Sequence, residues 1–180
     1  PAAAQQGLAP APEAATGRTA REMGTAQRYM AAAANPLAAA AGREILRAGG
    51  SATDAAIAIQ LVLNLVEPQS SGIGGGAFFV HWDEAGKRLT TLDGRETAPK
   101  AARPERFLDP DGKPMKFADA VVGGRSVGVP GTVRLLEEAH ERWGKLPWSE
   151  LFAPAIKLAE QGFAISPRLA GLLALEKNLI

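Results

Sequence analysis

The sequence predicts a layered domain of the α/β or α+β class, on three observations. Two helices with clear start and stop signals come first, one antiparallel hairpin follows, and further helices fill the C-terminal part. The connection inside the hairpin is a few residues, too short for the crossover that parallel strands need. At 180 residues, with 46% hydrophobic and 22% charged content, the chain can bury a sizeable core.

Taken in order, residues 1–24 are rich in Ala, Pro, Gln, Gly and Thr and show no apolar period. Residues 1–26 are therefore expected to be a flexible tail, and 27–180 the folded part. The tail lacks the charged and apolar regions of a signal peptide and reads as what remains after one is removed. Gln27–Ala34 reads as a short apolar strand, although alanine propensity alone favours helix. Asn35-Pro36 supplies an N-cap and a first-turn proline for a helix over 37–48, which Gly49-Gly50 stops. Alanines 38–41 give it a slim face that admits a close neighbour.

Ser51 with Asp54 three residues on makes a variant capping box. The helix that follows, Ala55 to Val66, is apolar almost all round and belongs in a core. Gln60 and Asn64, four apart, are expected to face a polar edge or bond to backbone. Gly72, Gly74, Gly75 and Gly76 then run into a strand at Ala77–Trp82, and Arg88–Leu92 returns as its partner. Residues 100–120 read as loop, with a turn at Asp109-Pro110-Asp111-Gly112. Helices are expected over about 133–143, closed by Gly144, over about 151–161, begun at Trp148-Ser149-Glu150 and stopped by Gly162, and over 168–180, begun at Ser166-Pro167. The last has no stop signal, so the sequence reads as unfinished.

Composition removes several classes of function. A formal net charge of +1, with positive residues interleaved among acids, argues against a nucleic-acid surface. There is no cysteine, hence no disulfide, thiol nucleophile or thiolate metal site. His81 and His140 are the only histidines and lie far apart, so no metal site is expected, and nothing calls for a cofactor. No apolar run reaches the ~18 residues a membrane span needs.

Three features remain as candidate chemistry. The Gly72–Gly76 cluster has the wrong order for a phosphate loop, being helix, glycines, strand, and reads as a tight turn with close packing. A Ser-His-Asp arrangement is not expected, because none of the serines at 51, 70, 71, 126, 149 and 166 is read as lying in a Gly-x-Ser-x-Gly elbow. Glu137-Glu138 reads as a solvated helix face, and Trp143 and Trp148 as packing. Arg95, between Asp93 and Glu96, has two readings that spacing leaves open. One is an exposed arginine in a local ion pair. The other is a guanidinium fork that grips a ligand carboxylate at two points.

Five motifs in register carry a resemblance. They are Asn35-Pro36-Leu37-Ala38 through Gly49-Gly50-Ser51-Ala52-Thr53-Asp54-Ala55-Ala56; Glu67-Pro68-Gln69-Ser70-Ser71-Gly72-Ile73-Gly74-Gly75-Gly76; Arg95-Glu96-Thr97-Ala98-Pro99; Val129-Pro130-Gly131-Thr132; and Leu158-Ala159-Glu160-Gln161-Gly162-Phe163. From about residue 27 onward the sequence resembles the N-terminal part of the large subunit of the γ-glutamyltransferase (γ-glutamyltranspeptidase) family.

The resemblance implies an α+β fold, the αββα sandwich of N-terminal-nucleophile hydrolases, to which this chain supplies helices and an antiparallel hairpin. It implies a precursor that cuts itself into large and small subunits, whose small-subunit N-terminal threonine attacks the γ-glutamyl amide of glutathione or similar donors. Water, an amino acid or a peptide then accepts the acyl group. Residue 1 here is proline, so the nucleophile is expected on the partner subunit and the 180 residues alone are expected to be inactive. By its match to Arg-Glu-x-x-Pro, Arg95 is expected to bind the α-carboxylate of the γ-glutamyl group. A periplasmic or secreted location is expected as well. Two alternatives stand beside this: a cephalosporin (glutaryl) acylase of the same family, and a non-catalytic homologue acting as a scaffold.

Overall fold

A computed structural model describes residues 23–175. Most of the tail expected over 1–26, and the end of the helix expected to reach Ile180, lie outside the described residues. The order of elements is α1 (Pro36–Arg47), α2 (Ala52–Val66), β1 (Ala77–Asp83), β2 (Arg88–Gly94), α3 (Phe117–Val121), α4 (Thr132–Trp143), α5 (Ala153–Gln161) and α6 (Pro167–Leu175). Among the described residues the one sheet is the β1–β2 hairpin. The α+β class expected from the sequence is what forms.

Local signals set the helix ends. Asn35 Oδ1 accepts from the Leu37 N–H at 3.0 Å, and Pro36 occupies the first turn of α1. At its other end Gly49 adopts φ +93°, while Gly50 N–H donates to Ile45 O and Gly49 N–H to Leu46 O. That pair of bonds is a Schellman motif, and its positive φ favours glycine. The capping box of α2 forms as expected: Ser51 Oγ accepts from the Asp54 N–H at 3.1 Å, and Asp54 Oδ2 from the Ser51 N–H at 2.8 Å.

The small residues of α1 let it lie close along α2. Ala38 and Ala41 are buried, and a Cβ added to Gly42 would stand 2.7 Å from Ile59 Cγ1. One core cluster gathers Ile45, Ile57, Ala58, Leu61, Leu136 and Leu151. A second joins Ala38, Ala41, Val62 and Val66. The fully buried Ile57 and Leu151 side chains each contribute about 1.5–3 kcal/mol by leaving water. Gln60 and Asn64 do polar work at the rim, as expected: Gln60 Nε2 donates to Ser71 Oγ at 2.8 Å, and Asn64 Oδ1 accepts from the Ile73 N–H at 3.1 Å.

Asp54 reaches further than its capping box. Its carboxylate is fully buried, and Oδ2 also accepts from the Lys145 N–H at 2.9 Å and the Leu146 N–H at 3.2 Å. Oδ1 lies 3.7 Å from His140 Nε2, which itself donates to Leu146 O at 2.8 Å. The start of α2 is thereby tied to the loop after α4.

The hairpin pairs Ala77 with Gly94, Phe79 with Leu92 and His81 with Thr90. Its inner face meets α4: the His81 ring stacks on Trp143 at 4.1 Å between centroids, and Phe79 lies 6.0 Å from the same indole. Trp148 packs against His140 and Phe152, so both tryptophans serve packing as expected. The outer face carries Phe78, Val80 and Trp82, which are 65%, 65% and 51% exposed.

Three expectations need correction. Residues 27–34 are not a strand; the segment forms no ladder and no regular element. Strand identity depends on a partner, and no other described strand lies beside it. The helix expected to begin at Trp148 opens as a 3₁₀ turn over Trp148–Phe152 and becomes α-helical only at Ala153. Pro154 has no N–H to extend an α-helix running through that point, so it sits in the first turn of α5. Residues 100–120 are loop in the main, but hold a 3₁₀ turn at Pro104–Phe107 and the short α3.

Candidate functional site

Arg95 directly follows the last residue of β2, where the ladder ends at Gly94. Its backbone N–H donates to Asp93 Oδ1 at 2.9 Å, which turns the chain out of the strand. Thr97 and Val129 then form an isolated antiparallel bridge, with the Val129 N–H donating to Thr97 O at 2.8 Å. Residues 94–97 are thus held between the hairpin and the segment that leads into α4.

Glycines make that fit possible. A Cβ at Gly76 would run into the Glu96 amide nitrogen and lie 2.7 Å from Arg95 Cα. A Cβ at Gly131 would run into Gly94 O. Gly75 O accepts from both the Gly131 N–H at 2.9 Å and the Thr132 N–H at 3.2 Å, which closes the cradle. The glycine run therefore does not act as a unit. Gly76 is pressed against the residue 95 backbone, whereas added Cβ atoms at Gly74 and Gly75 would meet nothing within 4 Å. We expect Gly131→Ala to push the 94–97 segment outward. In the complete protein its melting temperature should fall by several degrees, read by thermal unfolding, together with a weakened grip on any ligand of Arg95. An unchanged melting temperature would show that the cradle relaxes freely.

The Arg95 side chain is 63% exposed. Nε donates to Glu96 Oε1 at 3.2 Å, and the two terminal nitrogens have no protein partner among the described residues. Arg95 lines an open cleft of 370 Å³ whose wall also includes Asp93, Thr97, Val129, Arg134 and Glu138. Arg134 in the same cleft is engaged, donating to Glu137 at 2.6 Å and to Glu138 at 3.3 Å. The hydrogen bond that Arg134 donates to Glu137, reinforced by the carboxylate's charge, holds the Arg134 pKa above the ordinary value. Arg142 also pairs with Glu138, so Glu137-Glu138 is the solvated, ion-paired face expected. Of the two arginines lining the cleft, Arg95 is the one whose terminal nitrogens have no partner among the described residues.

Other candidates carry less. A larger cleft of 650 Å³ lies between residues 25–34 and α1, but alanines dominate its wall and it lies away from Arg95. The expectation that no serine stands in Gly-x-Ser-x-Gly is wrong at Ser126, which lies in such a string from Gly124 to Gly128. Ser126 occupies a 3₁₀ turn rather than a strand-to-helix elbow, and its hydroxyl donates to Val121 O at 2.8 Å. Among the described residues no three His, Cys, Asp or Glu side chains gather as metal ligands. None of the described helices is long and apolar enough to cross a membrane.

Sequence reasoning missed the parts played by Gly94 and Gly131. The signal was available in the density of glycines on either side of Arg95, but only the fold shows which of them touch it.

The described residues form an α+β fold whose glycine-cradled arginine lies at the end of the hairpin. A sequence model of the Gamma-glutamyltranspeptidase family matches residues 38–180. The glutathione hydrolase proenzyme of Bacillus subtilis strain 168 is 50% identical over 141 residues, which are 78% of this chain and 24% of that protein. The crystal structure of Helicobacter pylori gamma-glutamyltranspeptidase superposes with a TM-score of 0.79 at 39% identity, covering 86% of this chain and 44% of that one. Cephalosporin acylase from Bacillus halodurans gives a TM-score of 0.63 at 38% identity, over 76% of this chain and 24% of that one. The chain belongs to the gamma-glutamyltranspeptidase family. It spans about a quarter of the length of the Bacillus subtilis relative.

Proposed function

We propose that this chain is the N-terminal part of the large subunit of a γ-glutamyltransferase and glutathione hydrolase, in which Arg95 binds the α-carboxylate of the γ-glutamyl group. One observation carries the reading. Glu96 takes the Arg95 Nε, the two terminal nitrogens have no partner among the described residues, and Arg95 lines an open cleft; a two-point carboxylate contact needs such a free fork. Family membership supports the rest. The precursor cuts itself, and residues 27–180 join the remainder of the protein in one αββα domain. A small-subunit threonine forms the γ-glutamyl-enzyme, and water, an amino acid or a peptide resolves it. The protein works in the periplasm or outside the cell, as a heterodimer from a single precursor.

The test is to purify the complete protein. Intact mass should show two chains that sum to the precursor, and a chromogenic γ-glutamyl anilide should be turned over. A single uncut chain with no turnover would overturn the reading. The similarity to a cephalosporin acylase keeps a second substrate class in play. A glutaryl amide carries the same terminal carboxylate and lacks only the α-amino group, so Arg95 could grip either, and the preference for the γ-glutamyl amide rests on the similarity to glutathione hydrolases. Equal kcat/KM for glutaryl and γ-glutamyl anilides would reverse that preference.

A further inference from the structure

A polar cluster at the C-terminal end of α2 takes no part in the chemistry proposed above. Glu67 is 5% exposed. Its Oε1 accepts from Asn35 Nδ2 at 2.8 Å, and its Oε2 from Gln69 Nε2 at 2.5 Å. Arg168, at the start of α6, places a terminal nitrogen 3.9 Å from Oε2 and donates from its other one to Ser70 Oγ at 3.2 Å. Burial pushes the Glu67 carboxyl up, but the hydrogen bonds from Asn35 and Gln69 and the charge of Arg168 outweigh it and hold the group below its ordinary value. Gln69 Oε1 and Arg168 Nε are buried in the network without partners among the described residues.

The same cluster fastens residues 67–76 at one end. The Ser70 and Ser71 N–H groups both return to Glu67 O, at 3.1 and 3.0 Å. Gln60 holds Ser71 Oγ, and Asn64 holds the Ile73 N–H. Two residues after Ile73 the strap reaches its other end, where Gly75 O receives the Gly131 and Thr132 N–H groups and Gly76 lies against Arg95 and Glu96. Every anchor between Glu67 and Gly76 is thus a hydrogen bond or a close backbone contact, with no long unsupported stretch.

We infer that Glu67 is a positioning residue for substrate-carboxylate recognition, acting through the 67–76 strap on the placement of Arg95. The inference rests on the reading of Arg95 given under Proposed function. Glu67 itself does not touch the cleft. Its carboxylate fixes where the strap starts, and the strap fixes the floor on which the Arg95 backbone sits.

The test uses Glu67→Gln in the complete, processed protein. Glutamine keeps the shape and an acceptor for Asn35 but removes the charge that Gln69 and Arg168 address. KM for a γ-glutamyl anilide should rise about tenfold while kcat stays within about twofold. Amide hydrogen exchange should quicken at residues 74–77 and 94–97 and stay unchanged in the hairpin turn at 83–88. A lowered melting temperature with unchanged KM and unchanged exchange at 94–97 would overturn the inference, since a merely structural role predicts that outcome. Should Glu67→Gln not accumulate as folded protein, Arg168→Gln reads the same coupling from the network's more exposed side, and Arg168→Lys should recover part of the effect. If the wild type fails to turn over γ-glutamyl compounds, the reading of Arg95 fails, while the exchange measurement still decides whether Glu67 controls the strap.

Discussion

Replacing Arg95 by alanine in the complete protein should raise KM for γ-glutamyl donors by about a hundredfold, with self-cleavage of the precursor intact. The size follows from what the cleft offers. Two terminal nitrogens without partners among the described residues stand ready for a carboxylate, and each hydrogen bond between charged groups is worth about 1.5–3 kcal/mol. Loss of the pair predicts roughly 3 kcal/mol, which is about a hundredfold. Arg95→Lys keeps the charge but loses the fork, so it should recover only part of the loss. Steady-state rates with a γ-glutamyl anilide give KM, and a denaturing gel reports processing. A KM within twofold of wild type would sink the assignment of Arg95.

Asp54→Ala should be the most destabilising single change among the buried polar residues of α2, costing about 3–5 kcal/mol. The carboxylate is fully buried and Oδ2 accepts three backbone N–H groups, from Ser51, Lys145 and Leu146. Alanine removes the reciprocal cap of α2 and strands two amides of the loop after α4. An isolated capping residue is worth only about 1 kcal/mol, so the excess measures the long-range tie. Asp54→Asn keeps an acceptor oxygen and should fall between the two. Urea unfolding of the processed protein gives the values from the shift in midpoint. A loss near 1 kcal/mol for alanine would mean that the loop after α4 finds other partners.

The contrast between local and distant signals explains what could be read in advance. Asn35-Pro36 and Ser51 with Asp54 encode helix starts within four residues, and the apolar run Ala77–Trp82 between the glycine cluster and the turn at 83–87 encodes a strand. Those elements form where the residues place them. The Tyr29–Ala34 segment does not, because a strand is defined by its neighbour rather than by its own composition. Asp54 was legible as a cap, but its bonds to residues 145 and 146 cross 91 and 92 positions of sequence, beyond any local pattern. Arg95 was found, though spacing left its role open between ion pair and ligand contact. In the structure Nε makes the local pair with Glu96, and the terminal nitrogens have no partner among the described residues. The supporting glycines were seen as a cluster, while the contacts that matter are Gly76 and Gly131, 55 positions apart and brought together by the fold.

The outer face of the hairpin has a practical consequence for handling the protein. Phe78, Val80 and Trp82 line one side of a two-stranded sheet whose edges pair with no other described strand. Such a surface is an efficient template for strand-on-strand association. Any preparation limited to these residues should self-associate as its concentration rises, since a net charge of +1 supplies little repulsion between copies. Light scattering against concentration would report it. A charged substitution on that face, such as Val80→Lys, would be the first remedy to try for a soluble fragment.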